Sequence, residues 1–139
     1  MAALLNDDPL RRRLRALLHA TYHRSKIHGH SGSGRFDLFI HGERDSMNKA
    51  VDRLCVMLAE SRFVCPHMAT SFCEPSGRLH HGRHPDALTL DRVVNSRGYV
   101  WDNIQFVSWT FNRVKSDLSP AAMVALGNAL AAAGAATQG

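Results

Sequence analysis

The chain has 139 residues, of which 45% are apolar, enough for one modest core and too few for two. Seventeen basic residues against 12 acidic ones leave a net charge of +5 with the nine histidines neutral, so a polyanion is the first partner to consider. No apolar run approaches the roughly 18 residues that cross a bilayer. Asp7 and Asp8 stand where a secretory signal would be basic, and an odd count of three cysteines makes no disulfide framework. Membrane protein, disulfide mini-protein and disordered tail are excluded, and a reducing, cytoplasmic setting is expected.

The first helix is marked by Asp8 as cap and Pro9 at the first helical position. Leu10, Leu14, Leu17 and Leu18 follow at helical spacing. The run RRRLR within it reads as a solvated face or as a phosphate contact. Loop chemistry takes over at 26–34. FDLFI (36–40) reads as a short strand, and Asp45 or Ser46 can cap a second helix running to about residue 60. The stretch 63–85 is rich in glycine, proline, serine and histidine and predicts no element. A strand begins near Leu88, a turn segment spans 95–103, IQFVS (104–108) is a second strand, and 109–116 is a short helix. Ser119 and Pro120 open a last helix with Met123, Leu126 and Leu130 as its stripe, and the tail from residue 131 is expected to fray. The expected whole is one α+β domain over 1–139: a helical part at about 8–62, a strand–loop–strand–helix unit at about 87–117, and a closing helix at about 120–134.

The chemistry concentrates in 88–117, LTLDRVVNSRGYVWDNIQFVSWTFNRVKSD. Asp91 lies in the first strand, Asn103 closes the loop, and Asn112 sits on the helix behind the second strand. A hairpin packed on a helix can bring positions 91 and 112 face to face. One carboxylate and one amide oxygen then converge with room for water, the shell that hard divalent ions prefer.

These residues resemble the ββα-metal (His-Me finger) motif of HNH endonucleases, and in particular small HNH-like phage proteins that read S-L-D-R-I-D … G-Y … N-V-Q … N-x-x-K-S. The matching stretches are TLDRV, RGYVWDNIQFVSW and FNRVKSD. A looser likeness runs upstream, through HRSKIHGHSGSGRFDLFI and VCPHMATSFC. The resemblance implies that Asp91 and Asn112 ligate one Mg²⁺ or Mn²⁺ and that Asn103 pins the loop through backbone hydrogen bonds. It also implies DNA as substrate, with RNA left open, and a phage or prophage setting in a bacterial cytoplasm.

The departure is at position 92. The family places its general-base histidine directly after the acid, and this chain has Arg92, a permanent cation with no acceptor. Arg92 can hold a phosphate oxygen and favour developing charge. The base must then be a metal-bound water or an imidazole of His80, His81 or His84, His84 being nearest the strand. Arg97, Arg113 and Lys115 suit phosphate contacts, although a solvated face explains them equally. For Asp91 the alternative is an ion pair with Arg92, Arg97 or Arg113. A zinc site from Cys65, Cys73, His80 and His84 is disfavoured, because seven residues separate the first pair where two to four are usual. The expected activity is therefore a metal-dependent DNA endonuclease, acting as monomer or homodimer. The alternative is a nucleic-acid-binding or protein-interaction module of the same fold that does not cut.

Overall fold

The computed structural model describes residues 8–27, 35–68, 71–72, 78–79, 82–116 and 118–138. Its foundation is a pair of leucine-striped helices, α1 (Asp8–Ile27) and α2 (Arg44–Glu60). Leu10, Leu14, Leu17 and Leu18 of α1 are buried against Met47, Ala50, Val51, Leu54, Cys55 and Leu58 of α2. Apolar spacing of three and four residues puts each set on one helix face. The helices run antiparallel: Arg11 meets Asp52 at 2.6 Å and, one turn on, Arg15 meets Asn48 at 3.3 Å. Arg13 donates to the Leu88 carbonyl at 3.1 Å, tying α1 to the hairpin described below. The basic run is thus not a bare solvated face, because Arg11, Arg13 and Arg15 are engaged by partners on α2 and the hairpin.

Residues 35–40 do not form the expected strand. Their ladder is one parallel bridge, Phe36 to Tyr99, because the neighbouring chain has only Tyr99 and Val100 between Gly98, at φ +82, and the turn Trp101–Asn103. Leu38 and Phe39 are nevertheless buried, and Phe36 packs edge-on against Phe39 and Tyr22. Ser46 does not cap α2 either: its hydroxyl accepts from the Ile40 N–H at 2.8 Å, and the cap position is Glu43 without a side-chain bond. After α2 the chain reverses through Arg62 and Phe63, both with positive φ. Two two-residue strands, β1 (Arg78–Leu79) and β2 (Gly82–Arg83), pair where no element was expected.

Strands β3 (Leu88–Arg92) and β4 (Ile104–Ser108) form an antiparallel hairpin, with Leu88 opposite Ser108 and Asp91 opposite Gln105. Side chains alternate between its faces. Leu88, Leu90, Ile104 and Phe106 join the main core. On the opposite face α3 (Trp109–Lys115) covers Val107 with Phe111, and Cys65 completes a second, very small core. Ser108 caps α3 by accepting from the Phe111 N–H at 3.1 Å. The last helix, α4 (Pro120–Gln138), starts at Ser119, which accepts from the Ala122 N–H. It continues through the tail expected to fray, since alanine is the best helix former. The molecule is a small α+β fold. Among the described residues no single helix is long and apolar enough to cross a membrane.

Leu54 is fully buried and Val56, two residues away, is half exposed. Leu54→Ala should lower unfolding stability by about 2–5 kcal/mol, and Val56→Ala by less than about 0.5 kcal/mol. Urea titration of the two variants measures both.

Candidate functional site: the seam between β3 and α3

The 93–103 loop joining β3 to β4 is organised by one side chain. Asn103 is wholly buried. Its Oδ1 accepts from the Val94 N–H at 2.9 Å, and its Nδ2 donates to the carbonyls of Val94 and Gly98 at 2.9 and 2.7 Å. One amide therefore satisfies three backbone groups in a segment with no ladder of its own. Gly98 takes φ +82, which a side chain would resist. Outside the loop Arg97 pairs with Asp102 at 2.8 Å and holds that carboxyl below its usual range. Both partners are exposed, so the pair adds little stability.

Arg92 belongs to this loop as well. Its Nη1 donates to the Asn95 carbonyl at 2.7 Å, and its guanidinium lies 5.0 Å from the centre of the Tyr99 ring. Arg92 thus bonds to the loop. Its expected catalytic contact with phosphate would require it to leave these partners.

The opposite face of the hairpin carries a polar seam. Period-two alternation sends Thr89 and Asp91 toward α3, and helical spacing sends Asn112 and Lys115 back toward them. Two rungs result. Asn112 Nδ2 donates to Thr89 Oγ1 at 3.3 Å, and that hydroxyl donates to the Val107 carbonyl. Lys115 Nζ donates to Asp91 Oδ2 at 2.6 Å. It also donates to the Arg92 carbonyl and, at 3.3 Å, to Asn95 Oδ1. Three ammonium protons meet three acceptors, and both charged partners are buried, Asp91 at 8% and Lys115 at 3% exposure.

The ion pair corrects two expectations. Asp91 pairs with Lys115 and with none of Arg92, Arg97 or Arg113. Lys115 faces the interior, so its expected role as a solvent-facing phosphate contact does not hold in this conformation. Of the other expected phosphate contacts, Arg97 is committed to Asp102, while Arg113 is exposed and lies over the Trp109 ring at 5.0 Å.

The network extends to two residues that the sequence did not single out. Gln105 Nε2 donates to Asp91 Oδ2 at 3.1 Å, and its Oε1 lies 2.9 Å from His67 Nε2. With the Gln105 amide nitrogen facing Asp91, its oxygen must accept from His67, which puts the ring proton on Nε2 and leaves Nδ1 as a lone pair. His67 is also stacked on Phe111, with ring centres 4.2 Å apart. Gln105 was legible in principle, because a hairpin closed by a 93–103 loop sets it opposite Asp91. His67 lies in a stretch without periodicity and gave no signal.

His84 sits elsewhere. Its Nδ1 accepts from the Asp86 N–H at 3.0 Å, and the adjoining Pro85 carbonyl accepts from Thr110 at the first turn of α3. Lys115 and Asp91 lie at the other end of that helix, about 8 Å further along. His80, His81 and Cys73 lie outside the described residues. Among the described residues no three His, Cys, Asp or Glu side chains converge as a metal group. Cys55 and Cys65 are buried free thiols, and burial pushes the Cys55 thiol up.

The seam still offers hard oxygen ligands. Asp91 Oδ1 and Asn112 Oδ1 accept no hydrogen bond from a described residue, and they lie on neighbouring rungs. One carboxylate oxygen and one amide oxygen suit a divalent ion that keeps most of its water. The adjacent ammonium weakens the attraction of that carboxylate for a second cation. Comparison with protein-family models, curated proteins and solved structures finds no match to this chain.

Removing one member of a buried pair strands the other charge. Lys115→Met should cost about 3–5 kcal/mol, whereas Asp91→Leu combined with Lys115→Met should recover most of that loss. Denaturant unfolding of the two single variants and the double variant closes the cycle. Asn103→Ala, which removes the partner of the Val94 N–H and of the buried Gly98 carbonyl while the Val94 carbonyl keeps its bond from the Arg97 N–H, should cost about 2–3 kcal/mol.

Proposed function

We propose that the chain is a divalent-metal-dependent endonuclease of the ββα-metal type, acting on DNA. The observation that carries this reading is the convergence of β3 and α3, which sets Asp91 and Asn112 on one seam behind a loop pinned by Asn103. Their free oxygens would hold the ion. The ion, when bound, supplies positive charge to the scissile phosphate and the departing 3′-oxygen. Exposed Arg113 stands on the same helix as Asn112 and offers a guanidinium to a neighbouring phosphate. The net charge of +5 favours encounter with the polyanion.

The attacking water must lose a proton, and Arg92 has no lone pair to take it. The Nδ1 lone pair of His84 is engaged by Asp86. That of His67 is unclaimed among the described residues, and the ring is oriented by Gln105 and Phe111. We therefore assign proton acceptance to His67 in preference to His84.

The Asp91–Lys115 pair favours a second reading, a module of the same fold that holds nucleic acid without cutting, because the acid is already neutralised. The two readings separate in one experiment. Supercoiled plasmid should be nicked in Mg²⁺ or Mn²⁺ and spared in EDTA. Asn112→Ala should slow nicking on the order of a hundredfold, and His67→Ala should slow it more than His84→Ala does. Circular dichroism must show each variant folded. Equal nicking by wild type and Asn112→Ala would end the nuclease reading. Metal-independent, salt-sensitive binding without any cleavage would establish the second.

A further inference from the structure

Among the described residues Asp91 and Lys115 are the only charged side chains buried from water. The Lys115 ammonium donates to three oxygens: Asp91 Oδ2 at 2.6 Å, the Arg92 carbonyl, and Asn95 Oδ1 at 3.3 Å. A carboxylate, a backbone carbonyl and a side-chain amide are also the donor set of a hard metal ion. The chain has therefore set a cation of its own against one oxygen of Asp91. The other oxygen accepts nothing from a described residue and stands beside Asn112.

The charges in this corner cancel. Asp91 is the one carboxylate within ion-pair reach of Lys115 among the described residues, and Asn112 is neutral. The remaining charges on β3, β4 and α3 are cations: Arg92, bonded to the Asn95 carbonyl, and exposed Arg113, which follows Asn112 in the chain. A divalent ion approaching Asp91 thus meets no net negative charge on these elements. Its attraction to the carboxylate is offset by repulsion from the ammonium that the carboxylate already holds.

We propose that Lys115 makes loading of the divalent ion conditional on the polyanion, because a DNA phosphate brings the negative charge that the ion pair has cancelled. The inference rests on the nuclease reading and adds a rule of assembly to it. Ion and DNA bind the seam together, each tightening the other by the same factor. Without DNA, the chain's own ammonium holds α3 on β3 and the seam takes up little metal. Lys115 acts here as a positioning residue, through the charge of Asp91. A lysine that only fastened α3 to β3 would alter stability when replaced and leave metal affinity where it was.

Two measurements on the full chain read the coupling: calorimetry with Mn²⁺ alone, and anisotropy of a labelled, cleavage-resistant phosphorothioate duplex in Mn²⁺ or EDTA at matched ionic strength. Mn²⁺ should tighten duplex binding by wild type about tenfold or more, and Asn112→Ala should abolish that effect. Two variants shift the charge balance by different routes. Lys115→Met removes the resident cation, whereas Asn95→Asp keeps the lysine and sets a negative charge beside it. Each should bind Mn²⁺ without DNA about tenfold tighter than wild type does, and the effect of Mn²⁺ on duplex affinity should shrink in both. Asn95→Asp retains the buried pair, so it carries the test where circular dichroism shows Lys115→Met unfolded. A Mn²⁺ effect that needs Asn112 but is equal in wild type and the folded charge variants would overturn this inference alone. Duplex binding by wild type that is indifferent to Mn²⁺ would overturn the nuclease reading together with it.

Discussion

The hairpin and the short helix behind it are held together by the buried contact between Asp91 and Lys115. Apolar packing alone is thin there: among the described residues Cys65, Val107 and Phe111 make up the second core, with Phe72 and Met123 packed against it, and 17 buried residues make up the first. Two five-residue strands and a seven-residue helix bury too little to fix their own geometry. The ion pair supplies direction that a few methyl groups do not, because the Lys115 ammonium aims its three donors at three separate acceptors. Those acceptors belong to β3, to its last carbonyl and to the loop, so a single side chain at the end of α3 registers all three.

Asn103 does the equivalent work inside the loop. The two devices are linked through Asn95, whose Oδ1 accepts from Lys115 and whose carbonyl accepts from Arg92. The loop, the strand and the helix therefore share one polar network. Desolvating these groups is tolerable because nearly every donor has its acceptor; a partly satisfied network would cost more than an apolar core. Arg92 fits this economy. Its guanidinium reaches the loop carbonyl and lies over Tyr99, which gives the segment order.

The helices were legible because their burial repeats every three to four residues, and the hairpin because glycine, asparagine and aspartate mark its turn. Asp91, Asn103 and Asn112 were placed on the right elements by the same patterns. What escaped was direction. Nothing in the string FNRVKSD says that Lys115 points inward, although its spacing of three from Asn112 puts both on one helical face. The arginines of α1 looked solvated for the same reason: a basic run carries no mark of the acceptors on α2 and β3 that lie 33–75 residues away. Residues 36–40 had strand composition, but a strand needs a partner of matching length, and 98–100 is too short to be one.

The two oxygens of Asp91 have different surroundings. Oδ2 is engaged by both Lys115 and Gln105, while Oδ1 is left without a donor from the described residues. A carboxylate that ligates a metal is ordinarily oriented by hydrogen bonds to its other oxygen, and those partners matter nearly as much as the ligand. On the nuclease reading proposed above, Lys115 and Gln105 would be the groups that orient the ligand. One carboxylate would then serve two ends: Oδ2 registers α3 on β3 through Lys115, and Oδ1, beside the amide oxygen of Asn112 on the next rung, is the atom left to bind.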